Sequence, residues 1–439
     1  MEINTAIVAG TGKSGISATK LLVNHGVKVY LFDENKDRDI EAIKEKTGDS
    51  ELVQIELGEL GEDALSSSQL MVISPGIPVD APFTDVVRNA GIPIWSEIEL
   101  AYHYGKGKIA AITGTNGKTT TTALVGEIVK AHNAKTIVVG NIGIPYTELC
   151  DTTDDDSDTV AEISSFQLET VIDFHPNVSA ILNLTPDHLN RHYTFENYGN
   201  VKFSITKNQT MDDVTVLNYD DEHTRAMGEK AKDHCHVVYF SRLEKPAGGV
   251  YVEDGDIILE DGDKKINVLA IKDLKLMGAH NVENVLAAVG ISYYMGVPVD
   301  VIRDVATSFK AVAHRIEYVD TIDGVAYYND SKGTNPDAAI KGIQAMVAPT
   351  FLIGGGYDKG SEYDEWIEAF DGKVKWLVLI GQTAQKIADC AKRHGFNSII
   401  FEENLQDAVA YCHENAVDGD AVLLSPACAS WGQFDNYEQ

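Results

Sequence analysis

The feature that most constrains this chain is the stretch "AITGTNGKTTTTALV", from Ala111 to Val125. It continues the short apolar run "KIAAITG", which is typical of a buried strand, and after Gly117 apolar side chains recur at helical spacing. A turn from a strand into a helix presents unpaired backbone N–H groups and the positive end of the helix dipole, and both favour an anion. The stretch therefore predicts an anion-binding turn in an α/β fold.

This turn differs from the usual G-x-x-x-x-G-K-[ST] loop, because Ile112 stands where the first glycine is expected. The two remaining glycines let the backbone approach phosphate closely. Lys118 can reach the β- and γ-phosphates, and the Thr119 hydroxyl can ligate Mg²⁺. A plain turn with a solvated lysine is the alternative. We interpret the loop as an ATP site of shortened form, made by Gly114, Thr115, Asn116, Gly117, Lys118, Thr119 and Thr120.

Size and composition indicate a globular protein of two to four domains. The chain has 439 residues, of which 44% are hydrophobic and 23% are charged. The N-terminus has no basic start before an apolar core, and no apolar run approaches about 18 residues, so neither a signal peptide nor a membrane span is expected. The five cysteines are scattered and odd in number, which favours reduced thiols and a cytoplasmic location.

The net charge of −31 argues against binding to nucleic acid or to anionic membranes, since both need basic faces. Anionic substrates would then need local cations. Four basic residues lie in or beside loop motifs and suit that role: Lys118, Arg315, Lys332 and Lys359. For most of the acidity, solubility is the simpler explanation.

The order of strands and helices predicts three domains. Residues 1–96 alternate between strand and helix, which is typical of a Rossmann-like parallel sheet. Residues 97–310 lead into a P-loop ATPase-like α/β domain, and the alternating segment 250–269 with its Asp-Gly turns predicts small antiparallel hairpins there. Residues 311–439 again predict a Rossmann-like α/β domain. The predicted fold class is therefore α/β throughout.

Individual strands are predicted from short apolar runs, and helices from longer periodic ones. A first helix is predicted from Ser14 to His25, and a strong one at "GAHNVENVLAAVGISYYMG". The predicted strands are "TAIVAG", "KVYLFD", "LMVISPG", "IPIWS", "TIVVGN", "TVAEIS", "VSAILNL", "TVLNY", "VAYYND", "TFLIGGG", "VKWLVLIG", "SIIFE" and "AVLLSPA".

A second glycine turn lies near the N-terminus. "GTGKSG", Gly10 to Gly15, matches G-x-G-x-x-G after a strand and before a helix, and Asp33 closes the next strand. This is the dinucleotide fingerprint, so NAD binding is one interpretation. The same geometry binds any diphosphate, and Asp33 suits a uridine ribose as well as an adenosine one. "SPGIP" at Ser74 adds a further glycine turn beside the same crevice.

Acidic and imidazole groups end two predicted strands of the central domain. Glu162 closes "TVAEIS", and Asp187 and His188 follow "VSAILNL". Together with Thr119, these side chains are suitable Mg²⁺ ligands near a γ-phosphate. Each by itself is more often a cap or a surface residue, but residues at converging strand ends favour a functional site.

Lys202 lies on a predicted helix in "TFENYGNVKFSI", with Phe195, Tyr198 and Val201 as inward neighbours. From the residues alone, the favoured interpretation is an ordinary solvated lysine.

Three polar loops of the last segment predict an amino-acid pocket. "NDSKGTNP", "IGGGYDKG" and "SPACASWGQF" each follow a predicted strand. Lysine charge in these loops is available for carboxylates. The residues concerned are Asp330, Lys332, Thr334, Lys359 and Ser430.

Taken in order, these motifs resemble the Mur ligase family of peptidoglycan synthesis over nearly the whole chain. The resemblance is carried by "GTNGKTT", "GNIGIP", "EISSFQLE", "NLTPDHLNRH", "GAHNVENVLAA", "HRIE", "NDSKGTNP", "GGGYDKG" and "SPACAS". "SSFQLE", "NDSKGTNP" and "SPACAS…QF" are most similar to the branch that adds D-glutamate, and the D-N-P-R element of the diaminopimelate- or lysine-adding branches is absent. The chain stops at "DNYEQ", where members usually continue into a last helix, so we expect an incomplete C-terminus.

The resemblance implies an ATP-dependent ligase that acts as a monomer on UDP-N-acetylmuramoyl-L-alanine and D-glutamate, through an acyl phosphate and with two Mg²⁺ ions. Substrates on three domains imply that the third domain closes and excludes water. Lys202 matches a family lysine that is carbamylated, and a carbamate can ligate Mg²⁺ where an ammonium would repel it. Tyr437 stands where some members have Phe. The implied catalytic residues are Lys118, His188 and Lys202.

Further roles implied by the resemblance fall into four sets. The UDP-sugar, rather than NAD, would be bound by the Gly10–Gly15 fold with Ser14, Asp33, Gly76, Asn141 and His188. Besides the loop, ATP would be bound by Asn281, Arg315 and Asp330. The metal ligands would be Thr119, Glu162, His188 and carbamylated Lys202. The amino acid would be bound by Lys332, Thr334, Lys359, Ser430 and Tyr437.

Three alternatives remain open from the sequence. A folylpolyglutamate synthase-like ligase shares the loop and the glutamate substrate. An NAD-binding oxidoreductase would use the first glycine turn. A catalytically silent nucleotide switch would bind ATP without forming a peptide bond.

Overall fold

The computed structural model describes residues 3–141, 143–276, 278–310, 314–437 and 439. It is an α/β structure with three sheets. The chain divides into two compact units: Met1–Asp273 with Glu283–Thr307, and Leu274–Val282 with Ser308–Gln439. The first unit contains two of the sheets and the second contains the third. The three domain boundaries drawn from the sequence stay a prediction.

The first sheet is parallel and has the order β3-β2-β1-β4-β5. The order reverses beside β1, so the loops after β1 and β4 leave a crevice at the carboxyl ends of the strands. The strands are β1 (Thr5–Ala9), β2 (Lys28–Asp33), β3 (Val53–Leu57), β4 (Leu70–Ile73) and β5 (Ile94–Ser96), and the helices are α1 (Lys13–Asn24), α2 (Ile40–Thr47), α3 (Glu62–Ser67) and α4 (Pro82–Asn89).

The second sheet has the order β14-β13-β12-β11-β10-β9-β6-β8-β7. It is parallel from β7 to β12, and β12, β13 and β14 form antiparallel hairpins. Its strands are β6 (Lys108–Thr113), β7 (Ile137–Gly140), β8 (Asp158–Glu162), β9 (Val178–Ile181), β10 (Val214–Asn218), β11 (His236–Ser241), β12 (Gly249–Glu253), β13 (Asp256–Asp261) and β14 (Lys264–Ala270).

Several helices pack on this sheet and bury its apolar strands, as parallel sheets require. In the part of the chain that the structure describes, nine helices lie within residues 97–308. They are α5 (Glu97–Tyr104), α6 (Lys118–His132), α7 (Tyr146–Leu149), α8 (Ser165–Leu168), α9 (Leu189–His192), α10 (Phe195–Phe203), α11 (Glu222–Ala231), α12 (Ala279–Tyr294) and α13 (Val299–Ser308).

The third sheet has the order β15-β16-β20-β17-β18-β19, in which only the β15–β16 pair is antiparallel. Its strands are β15 (Glu317–Ile322), β16 (Val325–Asn329), β17 (Thr350–Gly354), β18 (Val374–Leu379), β19 (Ile399–Phe401) and β20 (Ala421–Leu424). The accompanying helices are α14 (Pro336–Ala345), α15 (Asp364–Glu368), α16 (Ala384–Arg393) and α17 (Leu405–Asn415).

The predicted fold class is confirmed, and every predicted strand is present. The first helix begins and ends one residue earlier than predicted. Three strands were not predicted: β3, β11 and β15. β15 is exposed along most of its length, so it lacks the apolar run that marks a buried strand.

Two further expectations can be compared with the structure. Among the described residues, no helix combines the length and the apolar character needed to cross a membrane. All five cysteines are buried free thiols.

Candidate active site

The loop from Gly114 to Lys118 follows β6, the strand of the second sheet that lies between β8 and β9. Gly117 caps α6 in the left-handed conformation, with φ of 82°. A Cβ atom at this position would lie 2.2 Å from the Asn284 side-chain oxygen. Gly117 is therefore required by both its backbone conformation and the lack of space.

Residues after β9 hold the loop in place. The Asn116 N–H donates to Asn183 Oδ1 at 2.8 Å, and Asn183 Nδ2 donates back to the Asn116 carbonyl at 3.0 Å. The Thr185 N–H donates to the Thr115 hydroxyl at 3.1 Å. These bonds fix the backbone, so the loop's donors need little rearrangement when an anion binds. Sequence reasoning missed Asn183, although its position directly after a strand end was a usable signal.

Lys118 lies across this loop. Its Nζ donates to the carbonyls of Gly114 at 2.9 Å and Thr115 at 2.8 Å. Thr119 and Thr120 follow in the first turn of α6, and Thr120 is buried. The predicted ATP loop thus combines an ammonium group with the N-terminus of a 15-residue helix, which suits a phosphate group.

Lys202 is a buried part of the same site. Only 1% of it is exposed, and its Nζ donates to the Gly114 carbonyl at 2.8 Å, so the two amines share one oxygen. The interpretation of Lys202 as a solvated lysine is wrong, because α10 turns its Tyr198 and Lys202 face inward. Tyr198 lies one helical turn earlier, and its ring centre is 4.7 Å from the Lys202 ammonium.

Burial lowers the pKa of the Lys202 amine well below its ordinary value, and the charge of Lys118 lowers it further. The charges of Asp187 and Glu162 act in the opposite direction. The structure therefore brings two amines and two carboxylates close enough to influence one another.

Glu162 lies at the end of β8, opposite Ile112 of β6, and is 2% exposed. Its Oε1 accepts a hydrogen bond from Asn141 Nδ2 at 3.0 Å, and the Asn141 N–H donates to the Glu162 carbonyl at 2.8 Å. The resemblance assigns Asn141 to the UDP-sugar and Glu162 to the metal. In the structure they are direct neighbours.

His188 caps the short helix α9 in the left-handed conformation, with φ of 53°. Its Nε2 lies 3.5 Å from an Asp187 carboxylate oxygen, and its ring packs edge-on against Phe166 at 4.8 Å between centres. Imidazole and carboxylate groups thus follow β9 on the side where the phosphate loop follows β6, as the strand-end pattern predicts.

The glycine turn of the first sheet is closed by Asp33. The Asp33 Oδ2 accepts hydrogen bonds from the Thr11 N–H at 3.1 Å and from the Thr11 hydroxyl at 2.5 Å, while Oδ1 accepts from the Asn35 N–H at 3.0 Å. Partial burial acts to raise the pKa of Asp33, but these hydrogen bonds hold it below its ordinary value. Asp33 is therefore an anion that stabilises the turn.

Two other glycine positions shape this crevice. A Cβ atom at Gly15 would lie 1.8 Å from the Gly10 carbonyl oxygen, so helix α1 approaches the turn as closely as backbone allows. One at Gly10 would lie 2.6 Å from the Ser74 hydroxyl, which places the "SPGIP" turn beside the first turn. Ser14 lies in the first turn of α1, and Gly76 has open space where a Cβ would stand.

Arg191 joins this crevice to the second sheet. It donates to the Ile77 carbonyl at 2.7 Å and pairs with Glu169, with Nε 3.1 Å from Oε1. The "SPGIP" turn therefore contacts the segment that follows His188. Sequence reasoning missed Arg191, although it lies within the quoted "NLTPDHLNRH".

In the second unit, Arg315 lies near both Asp330 and His280. Burial raises the pKa of Asp330 to about 6, although Arg315 and the Ser425 hydroxyl, which donates at 2.7 Å, act to lower it. Burial also lowers the pKa of His280 to about 3, and the charge of Arg315 contributes. Asn281 follows His280 on α12.

Part of the predicted amino-acid pocket surrounds a cleft of about 170 Å³ in the second unit, lined by Ser331, Ser430 and Tyr437 among others. The Lys332 ammonium lies 5.4 Å from the centre of the Tyr437 ring. Lys332, Thr334 and Lys359 are not among the described residues that line the cleft, and Lys359 is exposed in the loop after β17.

Comparison with known families gives three matches along the chain. Residues 4–96 match the Mur ligase MurD-like N-terminal domain, residues 112–292 the Mur ligase middle domain, and residues 314–428 the Mur ligase glutamate ligase domain.

Close relatives cover almost the full length. A UDP-N-acetylmuramoylalanine--D-glutamate ligase of Lachnospira eligens is 56% identical over 439 residues, which are 100% of this chain and 97% of that protein. One of Clostridioides difficile is 46% identical over 436 residues, covering 98% and 95% of the two chains.

Solved structures share the fold at low sequence identity. MurF of Acinetobacter baumannii gives a TM-score of 0.64 at 16% identity, covering 96% of this chain and 90% of that one. UDP-N-acetylmuramate-alanine ligase MurC of Thermotoga maritima gives 0.61 at 19% identity, covering 97% and 96%.

Proposed function

This chain belongs to the Mur ligase family, and we propose that it joins D-glutamate to UDP-N-acetylmuramoyl-L-alanine with cleavage of ATP. Relatives between 43% and 56% identical carry the name of that reaction. The observation that supports it in the structure is the phosphate loop on β6, where Lys118 and Lys202 share the Gly114 carbonyl.

The reaction needs ATP because a carboxylate is a poor electrophile: its charge repels a nucleophile, and oxide is a poor leaving group. In the proposed first step, a carboxylate oxygen of the alanyl group attacks the γ-phosphorus and ADP leaves. In the second step, the glutamate amine attacks the acyl carbon, phosphate leaves, and the amine gives up a proton. The intermediate between the two steps is an acyl phosphate.

Lys118 has the role of stabilising charge in the first step. Negative charge spreads over the γ-phosphate oxygens in the transition state. An ammonium group beside a loop that is fixed by hydrogen bonds is already oriented toward the charge of the γ-phosphate. On binding a triphosphate, Lys118 exchanges the carbonyls of Gly114 and Thr115 for phosphate oxygens, which are stronger acceptors.

We propose Thr119, Glu162, His188 and Lys202 as the Mg²⁺ ligands. Bound Mg²⁺ would neutralise phosphate charge and orient the γ-phosphoryl group. The buried Glu162 carboxylate offers oxygen donors of the kind that Mg²⁺ prefers, and the His188 imidazole beside Asp187 would add one nitrogen donor. An ammonium at Lys202 does not fit, so its chemical form matters.

The environment of Lys202 favours carbamylation. Only a neutral amine can attack CO₂, and burial together with the Lys118 charge lowers the Lys202 pKa in that direction. The nitrogen forms a bond to the CO₂ carbon and loses a proton, which leaves an anionic carbamate. The carbamate on Lys202 would attract the Lys118 ammonium, whereas two ammonium groups at this carbonyl would repel each other. It would also supply oxygens for Mg²⁺.

The remaining assignments follow the substrates. We propose that the crevice at Gly10–Gly15 binds the uridine diphosphate. The UDP-sugar residues are Ser14, Asp33, Gly76, Asn141 and His188. We propose Asn281, Arg315 and Asp330 as further ATP-binding residues. The glutamate residues are Lys332, Thr334, Lys359, Ser430 and Tyr437.

The proposal is tested by phosphate release from purified protein supplied with ATP, Mg²⁺ and UDP-N-acetylmuramoyl-L-alanine, while the amino acid is varied. D-Glutamate is expected to support turnover, and L-glutamate and D-aspartate are the matched controls. Turnover without ATP would overturn the mechanism. Turnover on a pterin substrate would favour the folylpolyglutamate synthase alternative, and NAD-induced thermal stabilisation would favour the oxidoreductase.

We propose a cytoplasmic monomer, since ATP and UDP-sugars are cytoplasmic metabolites and the proposed chemistry uses residues of one chain. Light scattering at assay concentrations measures the oligomeric state.

A further inference from the structure

Helices α15 and α16 of the second unit bring together four metal-binding side chains, none of which is among the residues proposed above. Asp364 and Glu368 are one helical turn apart on α15, and Cys390 and His394 are one turn apart on α16 and its C-terminal cap. The ligand atoms of Asp364, Cys390 and His394 all lie within 4.8 Å of one another. We call these four residues the α15–α16 cluster.

The spacing suits a tetrahedral ion. Donors bound to zinc at about 2.0–2.3 Å are separated from one another by about 3.3–3.6 Å. Asp364 Oδ1 lies 2.7 Å from His394 Nε2, and the other separations reach at most 4.8 Å, so the present spacings bracket that range. Small side-chain rotations therefore suffice to place an ion at the centre.

Glu368 places a carboxylate beside the second ring nitrogen of His394. Its Oε1 lies 3.6 Å from Nδ1 of His394, on the opposite side of the ring from Asp364. Metal-bound imidazoles usually direct their second nitrogen at a carboxylate, which fixes the tautomer and the ring orientation. Glu368 is placed to fill that role.

We propose that Asp364, Cys390 and His394 bind a divalent transition-metal ion of the zinc class, with Glu368 orienting the imidazole. The thiolate selects zinc, cobalt or nickel over magnesium, whose preferred ligands are oxygens. This ion would therefore be distinct from any Mg²⁺ bound with ATP. Three protein ligands leave the fourth position to water, and the ion would tie α15 to α16.

Two features weaken the binding relative to a four-ligand structural site. Burial raises the pKa of the Cys390 thiol to about 11, so the metal must displace a tightly held proton, which passes to solvent. The Arg393 guanidinium lies 3.6 Å from Asp364 and competes with the ion for this carboxylate.

A second cluster in the first unit, formed by Glu99, His103 and Asp173, is a useful contrast. The Glu99 oxygens already accept three backbone N–H groups, from Ile172 at 2.9 Å, Asp173 at 2.7 Å and Phe174 at 3.0 Å. Those bonds give Glu99 a structural role. The cluster also contains no thiol. We therefore use His103 as the control histidine.

The test is cobalt titration of tag-free full-length protein in saturating Mg²⁺, followed by absorption spectroscopy. We expect one Co²⁺ per chain, a thiolate-to-cobalt charge-transfer band in the near ultraviolet, and loss of that band when Zn²⁺ is added. Cys390→Ser should abolish the band, and His394→Gln should weaken binding at least about tenfold. Glu368→Gln should weaken it by about 10-fold to 100-fold, whereas His103→Gln should leave it unchanged.

Folding of each variant is checked by its thermal midpoint. His394 is partly exposed, so His394→Gln keeps the test valid even if the buried Cys390→Ser variant does not fold. Zn²⁺ should raise the midpoint of the wild type but not that of His394→Gln. A folded wild type without a charge-transfer band would overturn the proposal, and so would a band that His394→Gln leaves unchanged.

Discussion

The first unit contains two glycine turns of the same design, Gly10–Gly15 after β1 and Gly114–Lys118 after β6. Each follows a strand beside which the order of its sheet reverses, and each leads directly into a helix. Their side-chain surroundings are opposite in charge. In the first turn the Asp33 carboxylate accepts a hydrogen bond from the Thr11 N–H. In the second turn the amines of Lys118 and Lys202 both donate to the Gly114 carbonyl.

We infer from this difference that the backbone unit supplies anion affinity in general, while side chains from elsewhere in the chain select the ligand. A carboxylate beside N–H groups suits a diphosphate with a neighbouring ribose hydroxyl. The Lys118 ammonium suits the larger charge of a triphosphate during transfer. Four predictions test this division of roles.

The largest effect is expected from Lys118→Ala. Removing the ammonium from the second turn leaves transition-state charge uncompensated, so ADP release that depends on both substrates should fall at least about 10³-fold. Lys130→Ala, on the exposed surface of the same helix, is the matched control and should retain activity. Near-normal turnover in Lys118→Ala would contradict the proposal that the second turn depends on a lysine charge.

Lys202→Arg tests whether the second lysine acts through a carbamate. Arginine keeps the positive charge but cannot form the same carbamate, so kcat should fall about 10²-fold to 10³-fold. The exposed Lys207→Arg is the control. Removing dissolved CO₂ should lower the wild-type rate and leave the residual Lys202→Arg rate unchanged; equal rates in wild type and variant would contradict the carbamate role.

Gly15→Ala and Gly117→Ala should separate the two ligands. The added Cβ atoms would lie 1.8 Å from the Gly10 carbonyl oxygen and 2.2 Å from the Asn284 side-chain oxygen, so each turn must distort. Gly15→Ala should raise KM for the UDP-sugar about tenfold or more with little change in KM for ATP, and Gly117→Ala should do the reverse.

The control for these variants is Gly12→Ala, because nothing lies within 4 Å of a Cβ added there. Its thermal midpoint should equal that of the wild type. Identical kinetic changes in Gly15→Ala and Gly117→Ala would show that the two turns do not serve different substrates.

The smallest effect concerns acid stability. Because the folded-state pKa of Asp33 is lowered, its ionised form stabilises the fold above its unfolded pKa of about 3.9, and this contribution is lost as pH falls through the folded value. Asp33→Asn should reduce the free energy of unfolding more at pH 6 than at pH 3. The two reductions should differ by no more than about 1 kcal/mol. Urea unfolding at both pH values measures the difference, and a larger loss at pH 3 would contradict the assignment.

The phosphate loop could be predicted because its requirements lie within one short stretch: a buried strand, two glycines, a lysine and a helix start. Most parallel strands were predictable because burial on both faces demands continuous apolar runs. β3 and β11 were not, since several of their side chains are partly or fully exposed. β15 was not, since it is an exposed edge strand paired only with β16.

Lys202 shows the limit of local patterns. From the residues alone it was interpreted as a solvated lysine, because nothing local showed that its amine would meet the Gly114 carbonyl. The α15–α16 cluster is similar, because the Cys390 and His394 spacing is visible in the sequence while Asp364 comes from a different helix.

The sequence by itself determined the α/β class, the two glycine turns and the family, because these depend on short-range spacing and on the order of motifs along the chain. Only the tertiary structure decided that two lysines would meet on one carbonyl, that Asp33 would close the first turn, and that a thiol would face an imidazole and a carboxylate. Those arrangements depend on distances between segments far apart in the chain, and such distances are set by packing.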